Sequence, residues 1–337
     1  MKKASMVLGI CLVFFVTSIA ETADKDHVIT YNCAPEWANW RSVCSAFQKK
    51  YNIRAPHDNK NSGQALTQLM AEKNNPQADV VYLGVTFGIR ATEENLLQSY
   101  KPNFWDEIPK DLKDPGGNWF TIHSGTVAFQ VNKTALEGRP VPRSWKDLLN
   151  PIYKGKIGLL DPTSAFVGYA ACTSMNIALG GTLDNWDPGI KYLKELMKNN
   201  PNTPKTTNYA KVVMGEIAIE LDYDFDGYRM KYKDNIDVEV VIPKEGTLVM
   251  PYVMGLVKNA PRQDNGKKML DFVLSDEGQG LWAKAFLRPI RPKAMDKETQ
   301  KLFLPESEYA RAKAVDYNKM AQVMKTFQQR YINEVLK

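Results

Sequence analysis

The sequence predicts an α/β protein built from mostly parallel sheets flanked by helices and divided into two lobes. Strand-like and helix-like segments alternate along the chain, as βα units do. Short apolar runs such as residues 79–83, closing on Gly84, suit strands buried on both faces. A length of 337 residues is more than one hydrophobic core usually serves.

The elements follow in order. Lys2 and Lys3 precede an apolar run over residues 6–16, and Ser18 and Ala20 put small residues at −3 and −1 of a cleavage site. This is the pattern of a secretory leader over residues 1–20, too short for a membrane span. No later segment reaches the ~20 apolar residues of a span. Residues 28–33 read as a strand and 37–50 as a helix. Leu66, Leu69 and Met70 have helical spacing after Ser62-Gly63, and residues 120–131 form one long extended segment. Residues 156–160 are a strand, Asp161-Pro162-Thr163-Ser164 resembles a cap, and an apolar helix follows over 165–179. A helix at 185–198, strands at 215–222 and 237–242 and an extended segment at 248–257 come next. Helices at 263–274 and 276–286, and an amphipathic one from 306, close the chain.

Composition narrows the function. Loss of Lys2 and Lys3 with the leader lowers the formal charge from +6 to +4, and the remaining lysines are interspersed with acids. That describes a solvated surface rather than a nucleic-acid stripe. Cys11 falls within the leader. Cys33 and Cys44 are close in sequence and are expected to pair as a disulfide in an oxidising compartment, leaving Cys172 as a buried thiol. His27, His57 and His123 make no zinc pattern, so no metal and no cofactor is expected. There is no GxSxG elbow, Walker loop or HExxH, and the Gly84–Gly88 pair is too sparse for a dinucleotide site. Asp222 and Asp224 could act as an acid and base in a secreted hydrolase, but no nucleophile or metal ligand accompanies them.

A binding reading fits better. Small polar residues recur where strands give way to helices: Ser62-Gly63, Thr86 within residues 84–87, and Thr163-Ser164. Open α/β sheets bind ligands at strand C-terminal ends, where helix N-termini present free N–H groups to anions.

The stretch Pro142-Arg143-Ser144-Trp145-Lys146-Asp147-Leu148-Leu149-Asn150-Pro151-Ile152-Tyr153-Lys154-Gly155-Lys156-Ile157 resembles a signature of bacterial extracellular solute-binding proteins. These are the receptors of ABC importers for iron, polyamines, thiamine and phosphonates or sugar phosphates. Residues 75–81, Gly215-Glu216-Ile217-Ala218, and residues 274–279 followed by Pro289 and Arg291-Pro292 fit the same family. The resemblance implies a periplasmic-binding fold with two hinge crossings, near residues 122–125 and 252–255. Lobe one would comprise residues 21–121 and 256–337, with the C-terminal helix on either lobe, and lobe two residues 125–253. It implies a periplasmic monomer that closes on a small molecule and delivers it to an inner-membrane permease, with no catalysis.

Ferric-binding relatives carry a Tyr-Tyr pair that aligns here with Phe225-Asp226, which weakens an iron reading, and the polyamine-clasping Trp and Asp become Met250 and Tyr252. Sugar-phosphate and phosphonate receptors fit the remainder. Ser62, Thr163 and Ser164 resemble their phosphate-side hydroxyls. Tyr223, Asp224 and Glu245 resemble residues that hold the hydroxyl or amine end. Trp37 is expected to stack on the ligand beside Glu36, and Gly63, Thr86, Ser124 and Asn208 complete the expected lining.

Overall fold

A computed structural model describes residues 26–337; the leader and Cys11 lie outside them. The strands are β1 (Thr30–Tyr31), β2 (Val80–Gly84), β3 (Leu97–Gln98), β4 (Phe120–Asn132), β5 (Ile157–Leu159), β6 (Ile219–Tyr223), β7 (Val238–Val241), β8 (Thr247–Val257), β9 (Arg288–Pro289) and β10 (Ala312–Lys313). Interleaved are α1 (Trp40–Tyr51), α2 (Ser62–Ala71), α3 (Val85–Glu93), α4 (Phe166–Ala178), α5 (Asp187–Met197), α6 (Tyr209–Val213), α7 (Asp224–Tyr232), α8 (Gln263–Leu274), α9 (Asp276–Ala283) and, after two single turns, α10 (Tyr317–Arg330).

The two long strands organise everything else. The main sheet path runs β1-β2-β8-β4-β6-β5. β4 and β8 pair antiparallel from Phe120↔Met254 to Thr126↔Val249, with an irregularity between Thr121 and His123. One half-sheet forms on the C-terminal part of β8, where β2 and β3 dock, and β1 adds parallel to β2. The other forms on the C-terminal part of β4, where β6 and β7 dock, and β5 adds parallel to β6. The α/β architecture is as expected, but the sheet is mixed rather than mostly parallel: β1–β2, β5–β6 and β8–β10 pair parallel, and the long crossing strands β4 and β8 contribute the antiparallel ladders. Every residue of β2 is buried, as its uninterrupted apolar run requires.

Large aromatics fill the core. Trp40 lies edge-on to both Tyr82 and Trp282, at 5.1 and 5.2 Å between centroids. Trp145, from the Ser-Trp motif, is wholly buried against Phe129, and its indole N–H donates to the Gly246 carbonyl at 3.0 Å. That part of the motif is a packing device.

Several boundaries differ from the sequence expectation. β1 covers only Thr30–Tyr31, because Asn32 turns left-handed at φ 67°. α1 begins at Trp40, not residue 37, since Ala38 (φ 46°) and Asn39 (φ 60°) are also left-handed. The strand expected from 215 starts at Ile219, after Gly215 at φ 80°. The closing helix starts at Tyr317, and it packs on both halves. Met324 accepts from the Thr86 hydroxyl of α3, and Phe327 lies 4.3 Å from Trp186, beside α5. Cys33, Cys44 and Cys172 are buried free thiols. Cys33 and Cys44 do come together as expected, but the Cys33 thiol is turned onto the Thr30 carbonyl, 3.1 Å away. No helix among the described residues is long and apolar enough to cross a membrane.

Candidate functional site

Both half-sheets contribute to one cavity of ≈ 230 Å³ beside the crossing strands. The β1–α1 loop supplies Asn32, Ala34, Glu36 and Trp37; the entry to α2 supplies Asn59, Lys60, Asn61 and Ser62. From the opposite side come Leu160, the first turn of α4 (Ala165, Phe166, Val167) and the segment Lys205-Thr206-Thr207; Tyr252 of β8 completes the wall. This size suits a small solute, below the ~300–1,000 Å³ of drug-sized sites.

Two helix N-termini open on the cavity. In α2, Asn61 is the cap: its side chain accepts from Gln64 N–H at 2.8 Å, and the Gln64 side chain returns a bond to Asn61 N–H at 3.0 Å. Ser62 follows with its hydroxyl accepting from Gly84 N–H (3.1 Å) and from Asn32 Nδ2 (3.3 Å). In α4 the cap is Ala165, which has no side chain able to reach the first-turn N–H groups. Those groups are left for another acceptor.

Charge at the wall is mostly positive. Lys60 is paired with Asp58 and lies 4.2 Å from the centre of the Tyr31 ring. Lys205 has no ion pair among the described residues. Glu36, the wall's one carboxylate, is paired with Arg41 at 3.0 Å. The apolar side is aromatic: Trp37 packs against Tyr252 (6.0 Å), Phe225 (5.5 Å) and Tyr223 (6.2 Å). The two sides of the cavity also touch each other. Gly63 N–H donates to Ser164 O at 3.1 Å, and Asn61 Nδ2 donates to Ser164 Oγ (2.8 Å) and Lys205 O (2.7 Å).

Behind the aromatic wall are three buried carboxylates, Glu220, Asp222 and Asp226. None has an ion-pair partner among the described residues. Burial pushes Glu220 up to about 8, against the help of two bonds from Asn208 Nδ2 (3.2 and 3.0 Å). Burial also lifts Asp226 to about 7, opposed by the Arg229 charge, and raises Asp222 well above the usual carboxylate range, with Asp226 adding to the effect. The His123 imidazole, buried against Tyr82 and Tyr252, is held neutral, pushed down to about 3 by burial.

Of the residues expected from sequence, Glu36, Trp37 and Ser62 are in the wall. Gly63, Thr163 and Ser164 sit beside it, lining a wider cleft with Arg90 and Gln328. The others lie outside it, each with a different partner. Thr86 is buried under α10, Ser124 pairs with Pro251 and Arg288, and Asn208 holds Glu220. Tyr223 is buried behind Trp37. Asp224 accepts from Thr126 N–H (2.9 Å), Arg288 (2.7 Å) and Tyr309 OH (2.8 Å), so both its oxygens are engaged within the protein. Glu245 accepts from the N–H groups of Trp145 (3.0 Å) and Lys146 (3.4 Å). Sequence reasoning missed Asn32, Lys60, Asn61, Phe166, Lys205, Thr206, Thr207 and Tyr252. The available signal was a lysine beside amide or hydroxyl residues in 59–62 and again in 205–207.

Comparison with known proteins agrees with this geometry. Residues 75–323 match the model of the family described as bacterial extracellular solute-binding protein. A Haemophilus influenzae protein without an assigned function is 30% identical over 290 residues, covering 83% of this chain and 82% of that protein. A Salmonella typhimurium periplasmic protein, whose proposed ligand is 2-aminoethylphosphonate, is 30% identical over 249 residues, covering 72% and 71%. Among solved structures, the periplasmic binding protein AfuA of Actinobacillus pleuropneumoniae, with fructose-6-phosphate bound, superposes with a TM-score of 0.78 at 26% identity, covering 92% of this chain and 98% of that one.

Proposed function

Since this chain belongs to the family of bacterial extracellular solute-binding proteins, we propose that the solute it captures is a small organic molecule bearing a phosphate or phosphonate group. The protein is the binding component of an ABC importer. One observation carries the ligand assignment: the N-termini of α2 and α4 meet at a single cavity from opposite sides, with Lys60 and Lys205 on its wall. The uncapped first-turn N–H groups of α4, the two helix dipoles and the ammonium groups together favour a compact, multiply charged anion. Hydroxyls of Ser62, Thr206 and Thr207 add donors. Trp37 and Phe166 then pack on the carbon skeleton.

The buried carboxylates behind Trp37 support an amine on the far end of the solute. A buried acid without a cation is costly when ionised, and a ligand ammonium would supply the missing charge. The Salmonella relative's aminoethylphosphonate has such an amine, and the fructose-6-phosphate of AfuA has hydroxyls at that end. Fe³⁺ is a poorer match, since the wall's ionisable oxygen donors are only Tyr252 and the already paired Glu36. A hydrolase centred on Asp222 and Asp224 is also disfavoured, because Asp224 is locked to Arg288 and Tyr309.

In this account residues 1–20 direct export and are removed, the receptor works as a periplasmic monomer, and residues 21–121 with 256–337 close against residues 125–253 around the hinge strands. The C-terminal helix spans both lobes. The test is a thermal-shift screen with 2-aminoethylphosphonate, sugar phosphates, inorganic phosphate, putrescine, thiamine and Fe³⁺. A ligand at a hundredfold excess over Kd adds about 2.7 kcal/mol of stability. Stabilisation by phosphorylated compounds alone is the expected result; stabilisation only by putrescine, thiamine or Fe³⁺ would overturn the assignment.

A further inference from the structure

One cluster takes no part in the solute site as described, yet lies directly behind its wall. The sulfurs of Cys33 and Cys44 and a ring nitrogen of His57 all lie within 4.8 Å of one another. Both cysteines are buried, and His57 is the exposed member of the cluster. A His57 ring nitrogen also lies 3.3 Å from the Cys33 carbonyl. Cys33 is flanked by Asn32 and Ala34, which line the cavity, and the loop continues through Glu36 and Trp37 before Cys44 on α1. In the loop before α2, His57 lies two residues ahead of Asn59 and three ahead of Lys60, both in the wall.

We propose that Cys33, Cys44 and His57 form a thiol–disulfide exchange site whose oxidation state sets the shape and affinity of the solute cavity. The inference rests on the cavity assigned above. The co-reactant is a disulfide of the glutathione or oxidoreductase class. The Cys33 thiol gives its proton to the His57 imidazole, and the thiolate attacks the incoming disulfide, releasing one partner thiol. Cys44 then attacks the mixed disulfide and releases the second thiol. One Cys33–Cys44 bond forms, the incoming S–S bond is reduced, and both protons end on the two departing thiols.

The structure supports each part. The two sulfurs already lie within 4.8 Å of each other, and joining them would draw the Cys33 thiol off the Thr30 carbonyl. The Cys33 thiol is raised, first by its contact with the Cys44 thiol and then by burial, while His57 acts in the opposite sense and favours the thiolate. The loop that the bond would close contains Ala38 and Asn39 in left-handed conformations, so a covalent tie there restrains the backbone that carries Trp37. Restricting a binding loop to its bound conformation raises affinity by lowering the ordering cost.

The test uses the exported protein isolated without reductant, before and after treatment with dithiothreitol and then oxidised glutathione. Alkylation and intact mass should find one free thiol before reduction (Cys172) and three after it. Hydrogen exchange of residues 34–39, read without ligand, should be slower in the oxidised form, and the Kd for 2-aminoethylphosphonate or fructose-6-phosphate about tenfold tighter. Cys33→Ser/Cys44→Ser should abolish both responses, Cys172→Ser should leave them intact, and His57→Gln should slow reoxidation without changing its end point. Three free thiols that oxidised glutathione cannot join, equal exchange in both forms, or stoichiometric zinc retained on the thiols would each overturn the proposal. If neither solute binds but the exchange difference is present, the ligand assignment fails and the redox site stands.

Discussion

Gly63→Ala tests closure with the least disturbance to the fold. Gly63 is the second residue of α2, and a Cβ there would lie 2.4 Å from the Ser164 carbonyl oxygen and 3.2 and 3.3 Å from the adjoining backbone carbons. Backbone cannot swing aside as a side-chain tip can, so the two sides of the cavity must part by about 1 Å to restore ordinary contact. Parting removes the Gly63 N–H bond to Ser164 and stretches the two Asn61 bonds to Ser164 and Lys205. At about 1 kcal/mol per bond, the loss is about 2–3 kcal/mol against the closed state. That corresponds to a Kd weakened about 30- to 150-fold. The unliganded protein should not suffer, because alanine is favoured over glycine in a helix by about 1 kcal/mol. Titration calorimetry measures the first effect, unliganded melting the second, and small-angle scattering whether ligand still compacts the molecule. Wild-type affinity together with normal compaction in Gly63→Ala would refute the view that Gly63 and Ser164 meet on closure.

Lys205→Ala should weaken a phosphorylated solute about tenfold, by removing one charge-assisted contact, and leave melting of the free protein unchanged; titration calorimetry and thermal melting check both. Trp37→Ala should lower affinity further and also destabilise the protein by about 3 kcal/mol, because the ring packs against Tyr223, Phe225 and Tyr252; denaturant melts separate the two losses. Glu220 binds its proton more tightly folded, at about 8, than its ordinary value of 4.5. Its contribution therefore costs stability as pH rises through that window, by up to about 1.4 kcal/mol per pH unit. Glu220→Gln should flatten this part of the curve and raise melting at pH 8; an unchanged slope would show that Glu220 is already ionised. If an amine docks by the buried acids, 2-aminoethylphosphonate binding near pH 7 should release a proton from Asp226, raised to about 7, and Asp226→Asn should suppress it. Calorimetry in buffers of different ionisation enthalpy reads that proton directly.

The fold was legible wherever hydrophobic pattern dominates. The apolar run of β2, the long extended segments that became β4 and β8, and the apolar α4 are in their expected places. Boundaries failed where left-handed residues at Asn32, Ala38, Asn39 and Gly215 cut elements short: glycine and asparagine adopt that conformation readily but need not, and Ala38 gives no sign of it by its residue type. The site was half legible. Ser62 at a strand-to-helix join could be read, because capping chemistry is local. Asp224 and Glu245 could not be told from ligand contacts, because Arg288 and Trp145 are 64 and 100 residues away in sequence. Lys60 and Lys205 were unremarkable among many lysines until folding brought them to one cavity.

The central claim is that the cavity selects a phosphate or phosphonate group. The most direct measurement is titration calorimetry on matched pairs: 2-aminoethylphosphonate against ethanolamine, and fructose-6-phosphate against fructose. At least one phosphorus-bearing member should bind at about 1:1 and tightly, weakening on Lys205→Ala, with its partner binding at least a hundredfold more weakly. Equal affinity within both pairs, or no binding by any of the four while Fe³⁺ binds stoichiometrically, would contradict it.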